Sequence, residues 1–184
     1  MKHHAEHASL NRSAALASIA VASVLVVIKA WAAWKTGSAA MLGSLADTGL
    51  DLISSVATFI GVWVGGQPED RQHRFGHGKA EALSAMFQVV LISVSAIALA
   101  IHSVQRIVAH ETTTSAGEGI LVSIVAIAGT LALLGWQRHV IRQTASVAIS
   151  TDHLHYQADL LVNIAVVAAL VLDQYLHVTH ADPI

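Results

Sequence analysis

Residues Ala39 to Gly66 read AAMLGSLADTGLDLISSVATFIGVWVGG, an apolar stretch that carries two carboxylates, Asp47 and Asp51, four residues apart. Four residues advance a helix by about 400°, so both side chains project from one face, about 6 Å apart along the axis. The spacing recurs in a second apolar stretch, where His155 and Asp159 also stand four apart. A charge at the centre of a membrane helix costs roughly 2.5 to 3.5 kcal/mol on insertion scales. Two such faces therefore need compensation, and a bound cation or protons supply it. Brought together, they offer three carboxylates and one imidazole, a donor set that suits a divalent transition metal and that tetrahedral zinc accepts.

Composition puts these pairs in a membrane. The chain is 54% hydrophobic and 12% charged, with a mean hydropathy of +0.61, whereas soluble domains average about 25% charged residues. A span needs about 20 residues as helix, so 184 residues hold five or six spans and no large soluble domain. The absence of cysteine excludes disulfides and thiolate ligands, which leaves His, Asp, Glu and backbone oxygen to hold any metal.

The expected architecture is an all-α membrane protein, a bundle of five transmembrane helices. A polar tail at 1–12 precedes spans at about 13–35, 39–66, 81–109, 117–137 and 144–176. Lys29 lies near enough to the end of the first span to snorkel. Gly65, Gly66 and Pro68 end the second, and Glu111 to Ser115 make a polar turn before the fourth. The first half of the fifth, Ser150 to Asp159, is too polar for lipid and must face protein or water. Asp152 and His153 cannot both share the face of His155 and are read as polarity at the site entrance. Ser54 and Asn163 lie three and four residues from Asp51 and Asp159. They either hydrogen-bond those ligands or mediate ordinary helix contacts.

Basic residues set the orientation. Lys2, Arg12, Arg71, Arg74, Lys79, Arg138 and Arg142, seven of the ten Lys and Arg, fall on the side of the amino terminus, which places that terminus in the cytoplasm. Enzyme readings fare poorly. The His-Glu-x-x-His pattern of a metalloprotease is absent, and an aspartyl dyad needs two acids from different spans sharing a proton, whereas these acids face a His and Asp pair.

Three segments, Gly37 to Asp51 (GSAAMLGSLADTGLD), His73 to Glu81 (HRFGHGKAE) and Asp152 to Asn163 (DHLHYQADLLVN), resemble the cation diffusion facilitator family, nearest to its bacterial zinc and ferrous-iron efflux type. The resemblance implies a secondary transporter, not an enzyme, in the inner membrane. It would export Zn2+, or Cd2+ or Fe2+, in exchange for protons by alternating access. It implies a transport site at Asp47, Asp51, His155 and Asp159 and a second metal site in the loop at Asp70, His73 and His77. It also implies a homodimer in the lipid bilayer, and no nucleic acid is expected as a partner. Family members continue into a sixth span and a cytoplasmic domain. Lys79 matches a position that pairs with an acid beyond that span. The chain stops at Ile184, so a truncated fragment that binds metal or modulates a dimer without transporting is the alternative expectation.

The exchange chemistry follows from the donor set. Three carboxylates in low dielectric cannot all stay ionised without a cation, so protons fill the empty site and metal entry expels them. His155 is expected to be the most pH-sensitive member, because an imidazole titrates near neutrality and must be neutral to bind metal.

Overall fold

The computed structural model describes residues 2–37, 39–71, 73–109 and 116–176. It comprises helices α1 (Lys2–Thr36), α2 (Ala39–Gly65), α3 (Lys79–Ala109), α4 (Ala116–Thr144) and α5 (Val147–Leu176), with no strand among the described residues. The expected turn from Glu111 to Ser115 lies outside them. The polar stretch before Ser13, read as a tail, is helical from Lys2 onward and extends α1 beyond its apolar run.

Short connections set the antiparallel neighbours. Gly37 ends α1 with φ of 62°, and its N–H donates to Ala33 O at 2.9 Å, the left-handed cap that glycine forms without steric cost. Between α4 and α5 only Ala145 and Ser146 intervene. Ala145 takes φ of 52°, and the Ser146 hydroxyl caps α5 by accepting the Ile149 N–H at 3.4 Å. The same hydroxyl donates to Glu81 Oε2 at 2.7 Å, which ties the start of α3 to the start of α5. These caps explain why α5 begins at Val147 and not at Thr144.

Helix α1 packs on α2, α4 and α5, while α3 lies against α2 and α5. Ala14, Ala15, Val62, Val140, Ala148 and Ile149 form one buried cluster, joining four helices near the amino-terminal end of α1. Leu133, Leu134 and Tyr156 form a second. Small residues let α2 and α3 approach closely: a Cβ at Gly61 would fall 2.5 Å from Ser84 Cβ, and one at Gly65 would fall 2.9 Å from Glu81 Cγ. That is the small-xxx-small packing of membrane helices.

The outward faces are apolar. Val27, Leu83, Met86, Val90, Val94 and Ile97 are all exposed, which suits hydrocarbon and not water. Four of the five helices contain a described stretch long and apolar enough to cross a bilayer: Glu6–Lys35, Met41–Gly65, Lys79–Ala98 and Ile124–Thr144. Trp31 and Trp34, near the end of α1, are exposed, with Lys35 Nζ 6.0 and 5.8 Å from their ring centroids. The molecule is an all-helical, multi-pass membrane protein.

Candidate functional site

The polar faces of α2 and α5 meet. Tyr156 Oη and Ser55 Oγ lie 2.9 Å apart, and the tyrosine hydroxyl also reaches Ser18 O on α1 at 3.3 Å. This contact draws the two helices together one residue from His155. His155 is buried, and its Nε2 lies 3.1 Å from Asp51 Oδ1 and 3.6 Å from Asp159 Oδ2. The three side chains each present a ligand atom within 4.8 Å of the others. Asp159 Oδ2 is buried without a hydrogen-bond partner. An orphaned carboxylate oxygen in such a place is costly, and a cation between the three groups would satisfy it.

Asp47 does not belong to this group. It sits one turn earlier on α2, nearer the start of the helix, and is exposed. The shared face read from the spacing of Asp47 and Asp51 is there, but the imidazole of α5 is level with Asp51, and the axial rise of one turn carries Asp47 past it. Ser54 and Asn163 do not bond the carboxylates either. Ser54 Oγ is buried without a partner, and Asn163 Nδ2 donates to the backbone oxygen of Asp159 at 2.8 Å.

The loop after α2 gathers Asp70, His73 and His77, whose ligand atoms also lie within 4.8 Å of one another. Asp70 Oδ1 accepts the His73 N–H at 2.5 Å and lies 3.1 Å from His73 Nδ1. His77 Nε2 is 3.6 Å from Asp70 Oδ2. Gly76, with φ of 75°, reverses the chain between the two histidines, whose ring centroids come within 4.5 Å. His77 is fixed in turn by the start of α3, because its carbonyl accepts the Ala80 N–H at 2.9 Å. This group is more exposed than the first and bordered by Arg71 and Arg74.

Two residues that flank the intramembrane group depart from their sequence reading. Asp152, expected at an entrance, is fully buried. Its Oδ2 accepts from Ser18 Oγ at 2.6 Å and from Gln137 Nε2 at 2.7 Å, while Thr58 Oγ1 and Gln88 Nε2 each approach Oδ1 to 3.3 Å. Gln88 Nε2 also donates to Thr58 Oγ1, and His153 Nδ1 donates to Gln137 Oε1 at 3.2 Å. Every helix contributes to this knot, one turn of α5 below His155. Lys29, expected to snorkel outward, instead turns toward α2, where its Nζ donates to Thr48 Oγ1 at 2.6 Å. A glutamine in each of two apolar spans, Gln88 and Gln137, was the available signal for the knot, since amides in a membrane need partners.

The chain is similar to known proteins over most of its length. A family model described as the cation efflux transmembrane domain matches residues 15–184. The cation-efflux pump FieF of Klebsiella pneumoniae is 43% identical over 162 residues, which is 88% of this chain and 54% of that protein. FieF of Serratia proteamaculans is 43% identical over 170 residues, 92% of this chain and 57% of that protein. FieF of Yersinia enterocolitica is 42% identical over 170 residues, with the same coverage. The chain thus spans about half the length of these relatives. With a domain model covering nearly all of it and relatives at this identity, the chain belongs to the cation efflux, or cation diffusion facilitator, family.

Proposed function

We propose that the chain is the membrane-embedded part of a divalent-cation efflux transporter that carries Zn2+ in preference to Cd2+ or Fe2+ and exchanges it for protons by alternating access. The observation that carries the reading is the meeting of Asp51, His155 and Asp159, one nitrogen and two carboxylates from two helices, around a buried carboxylate oxygen that has no hydrogen-bond partner. One imidazole beside carboxylates favours zinc and its neighbours over magnesium, which prefers an all-oxygen shell. Asp47, one turn outward on the same face, is the fourth donor, and a modest shift of α2 along α5 would bring it to a cation already held by the other three.

The residues divide the work. His155 must be neutral to offer Nε2 to the metal, and the carboxylates must be ionised, so cargo and protons exclude one another on the same atoms. The loop group at Asp70, His73 and His77 is a second, shallower metal site on the side of the amino terminus. That side is cytoplasmic by the distribution of Lys and Arg, and the protein works as a homodimer in the inner membrane.

The test is flux. Proteoliposomes containing this chain, with an imposed proton gradient, are expected to move Zn2+, and Asp51→Ala and His155→Ala are each expected to abolish movement. Zn2+ bound stoichiometrically without flux would make the chain a metal-binding fragment, and undiminished flux in the His155→Ala protein would remove the site itself.

A further inference from the structure

We propose that the Lys29 ammonium is a built-in counter-charge of the transport site, which sets how tightly the divalent cargo is held and helps release it. The inference rests on the reading of Asp47, Asp51, His155 and Asp159 as that site. Lys29 lies within α1, and its side chain is half-buried. Its Nζ lies 2.6 Å from Thr48 Oγ1 and 3.5 Å from Ser44 O. The Thr48 hydroxyl gives its own proton to Ser44 O at 3.0 Å, so its oxygen is left to accept from the ammonium. Thr48 is itself buried and lies between Asp47 and Asp51 in sequence. A lysine free to reach the interface would gain hydration there. This one is turned inward and held against the segment that bears both carboxylates.

The charges around it explain the direction. Asp51, Asp47 and Asp159 all interact electrostatically with the Lys29 charge, and these are the carboxylates of the proposed site. When they are ionised and His155 is neutral, they and Lys29 together carry a net charge of about −2, which one divalent cation cancels. Without the ammonium, one negative charge would remain after cargo binding, in a setting where uncompensated charge is costly. The tethered cation also competes with the diffusible one for the same carboxylates. It therefore weakens cargo binding and shortens its residence, as transport across a membrane requires.

The test combines binding and flux on the full chain. Calorimetric titration with Zn2+ is carried out in an Asp70→Ala background, so that the loop group does not contribute to the heat, and transport is followed in proteoliposomes. Lys29→Gln keeps an N–H donor for Thr48 and deletes the charge. It is expected to bind Zn2+ roughly tenfold more tightly or better, as loss of one nearby like charge allows, with KM and the maximal rate of transport both falling. Lys29→Arg, which keeps the charge, is expected to stay near the parent in both. Lys29→Met keeps the apolar stem and carries the expectation of Lys29→Gln, so a folding defect in one neutral variant does not hide the result. Neutral variants that bind Zn2+ as the parent does, or more weakly, overturn the proposal, as does an Arg variant that behaves like the neutral ones. Asp51→Ala in the same titration separates the two readings: if it binds as tightly as the parent, the site assignment fails, whereas a loss of binding there with unchanged Lys29 variants sinks only the counter-charge.

Discussion

Gln137 Nε2 donates to Asp152 Oδ2 at 2.7 Å, joining α4 to α5 through a carboxylate that α1, α2 and α3 also reach through Ser18, Thr58 and Gln88. A carboxylate can accept about four hydrogen bonds, so this one is fully used. The knot fixes the level of α5 against α2 one turn from His155, and the meeting of Asp51, His155 and Asp159 depends on it.

Removing the acceptor therefore destabilises the bundle. Interhelical hydrogen bonds in membranes are worth about 0.6 kcal/mol on average, and Asp152→Ala removes the acceptor shared by four such contacts, for a loss of about 2 kcal/mol. Asp152→Asn keeps one oxygen and should lose less. Thermal unfolding of the two variants in detergent is the measurement, and an Asp152→Ala protein as stable as the parent would show that the knot carries no weight.

On the proposed function, the single nitrogen donor of the group sets its metal preference. His155→Asp replaces it with oxygen and leaves an all-oxygen group, which suits Mn2+ or Mg2+ better than Zn2+. Zn2+ affinity is expected to fall by roughly a hundredfold, the upper range for disturbing a metal-ligand environment, while Mn2+ binding falls far less. Competition titrations between the two ions read this directly. An unchanged ratio of affinities would mean that His155 does not touch the cargo.

The spacing of Asp51 from Asp47, and of His155 from Asp159, was enough to put each pair on one face of a helix, because helical periodicity is a local property of the chain. Which turn of one helix meets which turn of the other is not local, and Asp47 accordingly stands outside the group that the structure assembles. The same limit hid the partners of Asp152. Ser18, Thr58 and Gln88 lie 134, 94 and 64 residues away in sequence, and only the packing of all the helices brings them together. Lys29 was read from its position near a span end, which fixes how far it can reach but not the direction it takes. The all-helical class was legible, since apolar runs of span length form helices in a bilayer, but the extension of α1 over the polar residues before Ser13 was not.

Helix α3 is held by close approach at Gly61. A side chain there meets Ser84 Cβ at 2.5 Å and the Ala80 carbonyl oxygen at 3.1 Å, so Gly61→Val forces α2 and α3 apart at a cost of about 1 to 3 kcal/mol. Gly43→Ala, whose Cβ has nothing within 4 Å, is the control and is expected to be neutral or slightly stabilising. Thermal unfolding of the two proteins side by side checks both. Equal midpoints would mean that α3 repacks without loss.

The loop group makes a prediction of stoichiometry. Asp70 holds it together: its Oδ1 accepts the His73 backbone N–H at 2.5 Å, and its Oδ2 lies 3.6 Å from His77 Nε2. Asp70→Ala removes one ligand and releases the turn that aims the other two, so it should lose more than a ligand's share of affinity. Asp70→Asn keeps the oxygen that accepts the His73 N–H but loses the charge and replaces the oxygen facing His77 with an amide nitrogen that does not bind metal. Metal analysis of protein equilibrated with Zn2+ is then expected to give two ions per chain for the parent and one for Asp70→Ala, with Asp70→Asn retaining a weakened second ion. Flux in proteoliposomes should continue in both, because the intramembrane group is separate from the loop. Two ions per chain in the Asp70→Ala protein would show that the second ion does not depend on Asp70, and loss of flux with one ion still bound would make the loop a step on the transport path.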